Sequence, residues 1–246
     1  RAIRWLNGCF EGILLIGIIW GLTHRKKAAF LPAFLLGVVC LTPTVVWKSL
    51  QYASVINVTL VVINLLLWQR QAREHLPLIF FIAGILTNFF DLLTFPLLSL
   101  GFPLVFVLIL QEEKASFKDA FMESLKLALC WGLGFAGMWV GKWLLGSLVL
   151  GRSVLADAVT NAEIRAGTVA GEETITRATA LIRNLGVYAR PVYAWLFGGF
   201  TLGALGLIAW IRATKKDWQA AMSYLIVAAL PFIWVLILAN HSWKHY

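Results

Sequence analysis

The chain has 246 residues, of which 60% are apolar and 13% charged, and its mean hydropathy is +0.81. Soluble domains average about 45–50% apolar and about 25% charged residues. This composition excludes a soluble globular domain and a disordered or fibrous chain, and it predicts a polytopic protein surrounded by the lipid bilayer. The net charge of +9 does not indicate a nucleic-acid partner, because Lys and Arg are needed at the cytoplasmic edges of spans.

The apolar segments of residues 1–150 predict six transmembrane helices, since a span needs about 20 largely apolar residues. The first three are approximately 6–22, 29–47 and 55–68, and the sixth is approximately 121–150. The stretch 77–110 is too long for one helix and contains Asp91, Pro96 and Pro103. Proline breaks helices, so we predict two spans here that meet near residues 93–96.

Residues 151–190 form a polar segment that we predict to be helical and amphipathic. Apolar residues recur in it at helical spacing: Ile175, Ala178, Ile182 and Leu185. Such a helix either lies on the membrane surface or caps the bundle, or it is a simple connector. Two further spans follow within 191–246. The predicted fold is therefore an all-α bundle of about eight spans with one helical segment outside it.

The distribution of Lys and Arg predicts the orientation of these spans. Alternate short connections carry 11 of these residues, whereas the opposite short segments carry only four: Arg1, Arg4, Lys48 and Lys244. The more basic connections are expected to be cytoplasmic. Both ends of the chain and the segment 151–190 then face outward.

A few charged residues lie within or beside the predicted spans, and they are the most informative feature of the sequence. Glu11, Asp91 and Lys142 fall inside spans, and Lys48 and His241 at span ends. A charge at the centre of a span costs at least about 2.5–3.5 kcal/mol, so such residues suggest a functional site. In the predicted topology all five lie in the outer half of the membrane. They predict an outward-opening polar cavity, ringed by Thr42, Thr44, Asn88, Thr94 and Ser99.

We assign roles to these residues as hypotheses. Asp91 and Lys142 are the candidate catalytic residues. Arg190, Arg183 and Lys48 are candidates for binding a phosphate, because guanidinium and ammonium groups suit anion contacts. Glu11, Thr94 and His241 are expected to line the cavity.

Each residue also has a structural interpretation. Asp91 would pair with Lys142 to hold two helices together, or cap the following helix. Lys142 would extend its ammonium to the lipid headgroups. Glu11 and Lys48 would be interfacial residues. His241 and His245 have the spacing of metal ligands, but no third ligand lies near them in the sequence.

Three stretches carry a family resemblance: Thr87 to Pro96 continuing through Leu100 to Pro103, Trp131 to Trp143, and the terminal Asn240 to His245. Together they resemble a group of uncharacterised bacterial polytopic membrane proteins. That group is similar to the C-type glycosyltransferase superfamily, which takes sugars from polyprenyl-phosphate carriers on the outer face of the cytoplasmic membrane. The resemblance covers about residues 80–246.

The resemblance implies an inverting glycosyltransferase with a lipid-linked sugar donor and a divalent metal ion. A carboxylate would deprotonate the acceptor, and Lys142 and Arg190 would stabilise the departing phosphate. Asp91 would act as that base or as a metal ligand. In that superfamily the catalytic acid usually follows the first span, and nothing before Glu11 matches it. Either an N-terminal part of the chain that precedes Arg1 supplies it, or the activity is absent, so Asp91 is a candidate by position only.

Two other functions remain open. A proline-broken helix pair that bears an acid is also found in transporters and flippases of anionic or lipidic solutes. Transporters often contain inverted repeats and midplane sites, whereas here no repeat is evident and the charges lie outward, which favours the transferase. A non-catalytic membrane subunit is the third possibility.

Overall fold

A computed structural model describes residues 2–40, 49–90, 95–111, 116–168, 175–188 and 219–244. Over these ranges every regular element is a helix and no strand is present, which confirms the all-α prediction. The chain divides into two compact units, Arg1–Lys142 and Trp143–Tyr246.

The first unit is built from five helices and most of a sixth within the described ranges. They are α1 (Ala2–His24), α2 (Leu31–Cys40), α3 (Leu50–Trp68), α4 (Leu76–Phe90), α5 (Leu98–Leu110) and α6 (Phe117–Leu150). Short 3₁₀ turns at Ala28–Phe30 and Arg70–Arg73 precede α2 and α4. The helix break predicted within 77–110 falls between α4 and α5.

Local sequence signals explain where two of these helices begin and end. Ser116 precedes α6, where its hydroxyl donates to the Asp119 carboxylate at 2.7 Å and accepts from the Asp119 backbone N–H at 3.2 Å. This arrangement is a variant of the capping box. α1 ends in a Schellman turn, in which the N–H groups of Lys26 and Lys27 donate to the carbonyls of Thr23 and Leu22.

Contacts between helices fix the direction of α1, α3 and α5. Near its start α1 meets α3 through Asn7 and Asn57, and near its end through Gly21 and Leu67, so the two helices are parallel. α5 follows the same direction, because Tyr52 contacts Phe95 while Arg73, just beyond α3, donates to the Leu110 carbonyl at the end of α5.

The other helices of the first unit run the opposite way. Phe34 and Gly37 of α2 contact Phe106 and Phe102 of α5 respectively, so α2 is antiparallel to α5. α4 is antiparallel to α5, because Thr87 near its end bonds to Ser99 at the start of α5, while Arg73, just before its start, donates to the Leu110 carbonyl at the end of α5. Gly84 and Asn88 of α4 meet Trp131 and Lys142 of α6 in ascending order. α4 and α6 are therefore parallel to each other.

This up-and-down arrangement gives the first unit two distinct ends. We call the end where α1, α3 and α5 begin the polar end. We call the opposite end the basic end, because it carries the cations of the α1–α2 and α3–α4 connections and of the start of α6: Arg25, Lys26, Lys27, Arg73 and Lys118. The core between the two ends is apolar and includes Ile18, Ile63 and Phe80, each with no exposed surface.

In the described part of the chain, two helices, α1 and α6, are long and apolar enough to cross a membrane. Five shorter apolar helical segments of 10–17 residues accompany them, including α4 and α5. The predicted spans over residues 77–110 are thus helices of 15 and 13 residues. The predicted span near 191–211 lies outside the described residues, and the count of eight spans stays a prediction.

The second unit begins with the last residues of α6. It continues with α7 (Leu155–Ala166), α8 (Arg177–Tyr188), α9 (Gln219–Ile237) and α10 (Ala239–Lys244). In its described residues the predicted helical segment 151–190 therefore contains two helices, of which the first ends at Gly167. In α8 the predicted apolar stripe is largely exposed, with Ile182 at 69%, whereas Ala180 is fully buried.

Candidate functional site

A chain of hydrogen bonds joins three polar side chains of α1 and α3 in the half of the first unit nearer its polar end. Asn57 donates to the Asn7 side-chain oxygen at 2.7 Å, and Asn7 donates to a Glu11 carboxylate oxygen at 3.1 Å. Glu11 is 6% exposed, so its carboxyl group is buried between helices. The Asn57 side-chain oxygen is also buried and has no hydrogen-bond partner within the described ranges.

Lys142 lies at the carboxyl end of α4. Its ammonium donates to the backbone carbonyls of Asn88 at 2.5 Å and Phe89 at 3.3 Å, and lies 5.6 Å from the centre of the Phe89 ring. The last carbonyls of a helix lack partners within the helix and carry its negative dipole end. Lys142 therefore caps α4. An ammonium has three N–H groups, so one remains for a further acceptor.

Three other cations cap helices in the same way. Arg25 donates to the Leu67 carbonyl at 2.9 Å, near the end of α3, and Arg73 to Leu110 at the end of α5. In the second unit Arg177 donates to the Leu236 carbonyl at 3.1 Å, near the end of α9. This role could not be predicted from the sequence, because each carbonyl belongs to a helix distant in sequence and no local spacing signals the pairing.

A buried hydroxyl network joins α4, α5 and α6 close to Lys142. The hydroxyls of Thr87 and Ser99 are 2.6 Å apart, and the Trp131 indole N–H donates to Ser99 at 3.0 Å. Neither hydroxyl residue has exposed surface. Ser99, which we expected to ring a cavity, is therefore used in packing between helices. The neighbouring Asn88 is 4% exposed, and its side-chain oxygen has no partner in the described part of the chain.

The predicted site residues fall into three groups. Glu11 and Lys142 belong to the first unit, and Arg183 on α8 and His241 on α10 belong to the second. Arg183 and His241 are on packed helices, because their neighbours Asn184 and Ser242 are joined by a 3.4 Å hydrogen bond. The remaining predicted residues, Asp91, Lys48, Arg190 and Thr94, lie outside the described residues.

Asn240 organises the second unit and was not among the predicted site residues. Its side chain accepts from the Ile175 backbone N–H at 3.2 Å and donates to the Ile164 carbonyl at 3.1 Å. It also packs against Gly167, whose φ of 77° ends α7 and suits glycine. Asn240 is 2% exposed. It thereby joins the end of α7, the approach to α8 and the start of α10.

The divalent metal ion implied by the family resemblance was tested against the donor atoms. In the ranges that the structure describes, no three His, Cys, Asp or Glu side chains come together. These residues do not supply a metal-ligand set, and we derive no chemical step through a metal.

Comparisons with protein-family models, curated proteins and solved structures found no match to the chain.

Proposed function

We propose that the chain is a multi-pass protein of the bacterial cytoplasmic membrane that transfers sugar from a polyprenyl-phosphate carrier at the outer face. Large apolar side chains are exposed along α1 and α6, such as Ile13 at 67% and Leu148 at 80%, and they support the proposal that the exterior faces lipid. Exposed apolar surface on this scale is unfavourable in water.

One observation supports the outward-facing site most strongly. Glu11 and Lys142 are the charged side chains held between helices near the polar end, and both lie away from the cations of the basic end. If the basic end is cytoplasmic, the polar end faces outward, where polyprenyl-phosphate sugars are presented. Polar groups inside a membrane are costly and are commonly retained for function.

The proposed chemistry gives each residue a defined task. Asp91 accepts the proton of the acceptor hydroxyl as the new glycosidic bond forms. The N–H of Lys142 that does not bond to α4 donates to the phosphate as it departs. The carbonyl contacts of Lys142 hold its ammonium in place, so that little reorganisation is needed during the reaction.

The test is donor turnover by the full chain in liposomes. We would measure release of polyprenyl phosphate from a panel of polyprenyl-phosphate sugars by extracting and resolving the lipids. Asp91→Asn and Lys142→Met should each lower turnover at least 100-fold. The matched control is Lys126→Met, which removes an exposed lysine from the same helix, and it should retain activity.

The variants need a measure of folding, because Lys142 also caps α4. The amount of each variant in the membrane fraction and its midpoint of thermal unfolding serve this purpose. The variant Lys142→Arg keeps a cation at the site. Folded Asp91→Asn and Lys142→Met proteins that retain full turnover would contradict the proposal. A wild-type protein that turns over none of the donors would contradict it as well.

The hydrogen-bonded chain from Asn57 through Asn7 to Glu11 favours a second candidate, a transporter of an anionic or lipidic solute. A buried carboxyl group in a span is a common proton carrier in such proteins. Flux of a fluorescent lipid-linked sugar across sealed vesicles separates the two functions. Flux that depends on Glu11 without hydrolysis or transfer of the sugar would favour the transporter.

A further inference from the structure

An aromatic and cationic cluster lies at the basic end of the first unit, where α1 and α3 finish side by side. The indole rings of Trp20 and Trp68 meet edge to face with centroids 6.2 Å apart, and the His24 ring stacks on Trp68 at 5.9 Å. Both indoles remain accessible, with Trp20 66% and Trp68 44% exposed. Three successive cations, Arg25 to Lys27, follow directly.

The backbone at this cluster has an unusual conformation. Lys26 has φ of 56° and is the only non-glycine residue with positive φ in the described part of the chain. It occupies the position of the Schellman turn that glycine normally takes, because a side chain is disfavoured there. An outlier of this kind suggests that the side chain itself has a use.

The cations of this turn lack anionic partners. Within the described ranges, Lys26 and Lys27 make no side-chain hydrogen bond or ion pair, and Arg25 uses only its Nε, on the Leu67 carbonyl. Residues 12–73 contain no Asp or Glu. Glu74 follows Arg73 at the same end, but no carboxylate of the described residues pairs with Arg25, Lys26 or Lys27, so these cations can bind an anionic ligand.

We propose that the cluster of Trp20, His24, Arg25, Lys26, Lys27 and Trp68 binds the headgroup of an anionic phospholipid. The cations donate hydrogen bonds to the phosphate, and the exposed indoles lie at the boundary between headgroups and acyl chains, where tryptophan is favoured. Basic clusters beside spans attract anionic lipids. The proposal rests on the proposed membrane location of the chain but not on its sugar-transfer activity.

The experiment measures lipid retention by the purified full chain. Protein in neutral detergent is mixed with phosphatidylglycerol or phosphatidylcholine, and native mass spectrometry counts the lipids that stay bound. Wild-type protein should retain phosphatidylglycerol at least tenfold better than phosphatidylcholine. The double variant Lys26→Gln with Lys27→Gln should lose this preference. The control double variant, Lys118→Gln with Lys126→Gln, removes two cations from the first part of α6, whose start lies at the same basic end. It should keep the preference for phosphatidylglycerol.

Lys26→Gly separates lipid binding from stability. Because glycine suits the positive φ, this variant should unfold at a higher temperature than wild type without lipid, and yet gain less stability from phosphatidylglycerol. Equal retention of both lipids by wild type, or equal losses in the two double variants, would overturn the proposal. Equal protection by soluble glycerol phosphate would overturn the assignment to a lipid. No sugar donor is present, so failure here is distinct from failure of the transferase assay.

Discussion

Replacing Gly84 with alanine should separate two helices that touch through their backbones. A Cβ at Gly84 would overlap the Trp131 carbonyl oxygen and lie 2.9 Å from the Phe135 nitrogen. The contact is reciprocal, because a Cβ at Gly134 would overlap the Phe81 carbonyl oxygen. Backbone atoms cannot rotate away as a side chain can, so α4 and α6 must move apart to accept the methyl group.

The size of the effect follows from what the separation disturbs. Overpacking a tight contact costs about 1–3 kcal/mol. Moving α6 away from α4 also stretches the Trp131–Ser99 and Lys142–Asn88 hydrogen bonds, and a typical bond contributes about 1 kcal/mol. We therefore expect Gly84→Ala to lower the free energy of unfolding by about 3 kcal/mol, which is roughly a 100-fold change in the equilibrium constant.

Equilibrium unfolding in mixed micelles, followed by tryptophan fluorescence, measures this free energy. The matched control is Gly137→Ala on α6, because a Cβ there meets no described heavy atom within 4 Å. Alanine has the higher helix propensity, by about 1 kcal/mol, so the control should be neutral or stabilising.

A second variant, Gly134→Ala, tests the same contact from the other helix. Once the helices have separated, Gly134→Ala should cost less in the Gly84→Ala background than alone, since the two sites share one contact. If Gly84→Ala and Gly137→Ala unfold within about 0.5 kcal/mol of each other, the close approach of α4 and α6 is wrong.

Three further predictions use the same unfolding measurement. Ser99→Ala leaves the buried Trp131 indole N–H without its acceptor and should cost about 1–3 kcal/mol; an unchanged stability and near-UV spectrum would contradict the hydroxyl network. Lys142→Met removes the cap of α4 and should cost about 1 kcal/mol, and Lys142→Arg should restore most of it; equal stability of all three proteins would exclude the capping role. Asn240→Ala loses two buried hydrogen bonds and should cost about 2 kcal/mol, with faster amide exchange at the end of α7, whereas Asn161→Ala, on the exposed face of α7, should have little effect.

The helical class and the break within 77–110 could be predicted because both depend on local sequence. Long apolar stretches favour helices, and Pro96 between α4 and α5 favours the break, whereas Pro103 lies inside α5. The lengths of α4 and α5 were less predictable, since helix ends are set by turns and contacts as well as by hydropathy. The separation of α7 from α8 at Gly167 was likewise not predicted, although the glycine itself is a known helix-ending signal.

The glycines of α6 show that helix crossings could not be predicted from the sequence. The small residues of the predicted sixth span suggested close packing of helices, but a Cβ at Gly132, Gly137 or Gly141 meets no described heavy atom within 4 Å. Only Gly134 meets α4, and its counterpart Gly84 was not singled out. Which glycine lies at a crossing depends on how each helix is rotated toward its neighbour, and that rotation is set by the whole bundle.

Helix capping gives most of the charged residues discussed in the first unit a structural role. Arg25 and Arg73 lie at the basic end, where α3 and α5 finish, so each both caps a helix and adds to the positive charge of that end. Lys142 lies at the polar end because α4 finishes there, and the cap accounts for two of its three N–H groups. Glu11 has no such explanation: it is buried, held by one amide, and provides no cap. Within the described residues, Glu11 is therefore the charge between helices that lacks a capping role, and the test of the transporter candidate depends on it.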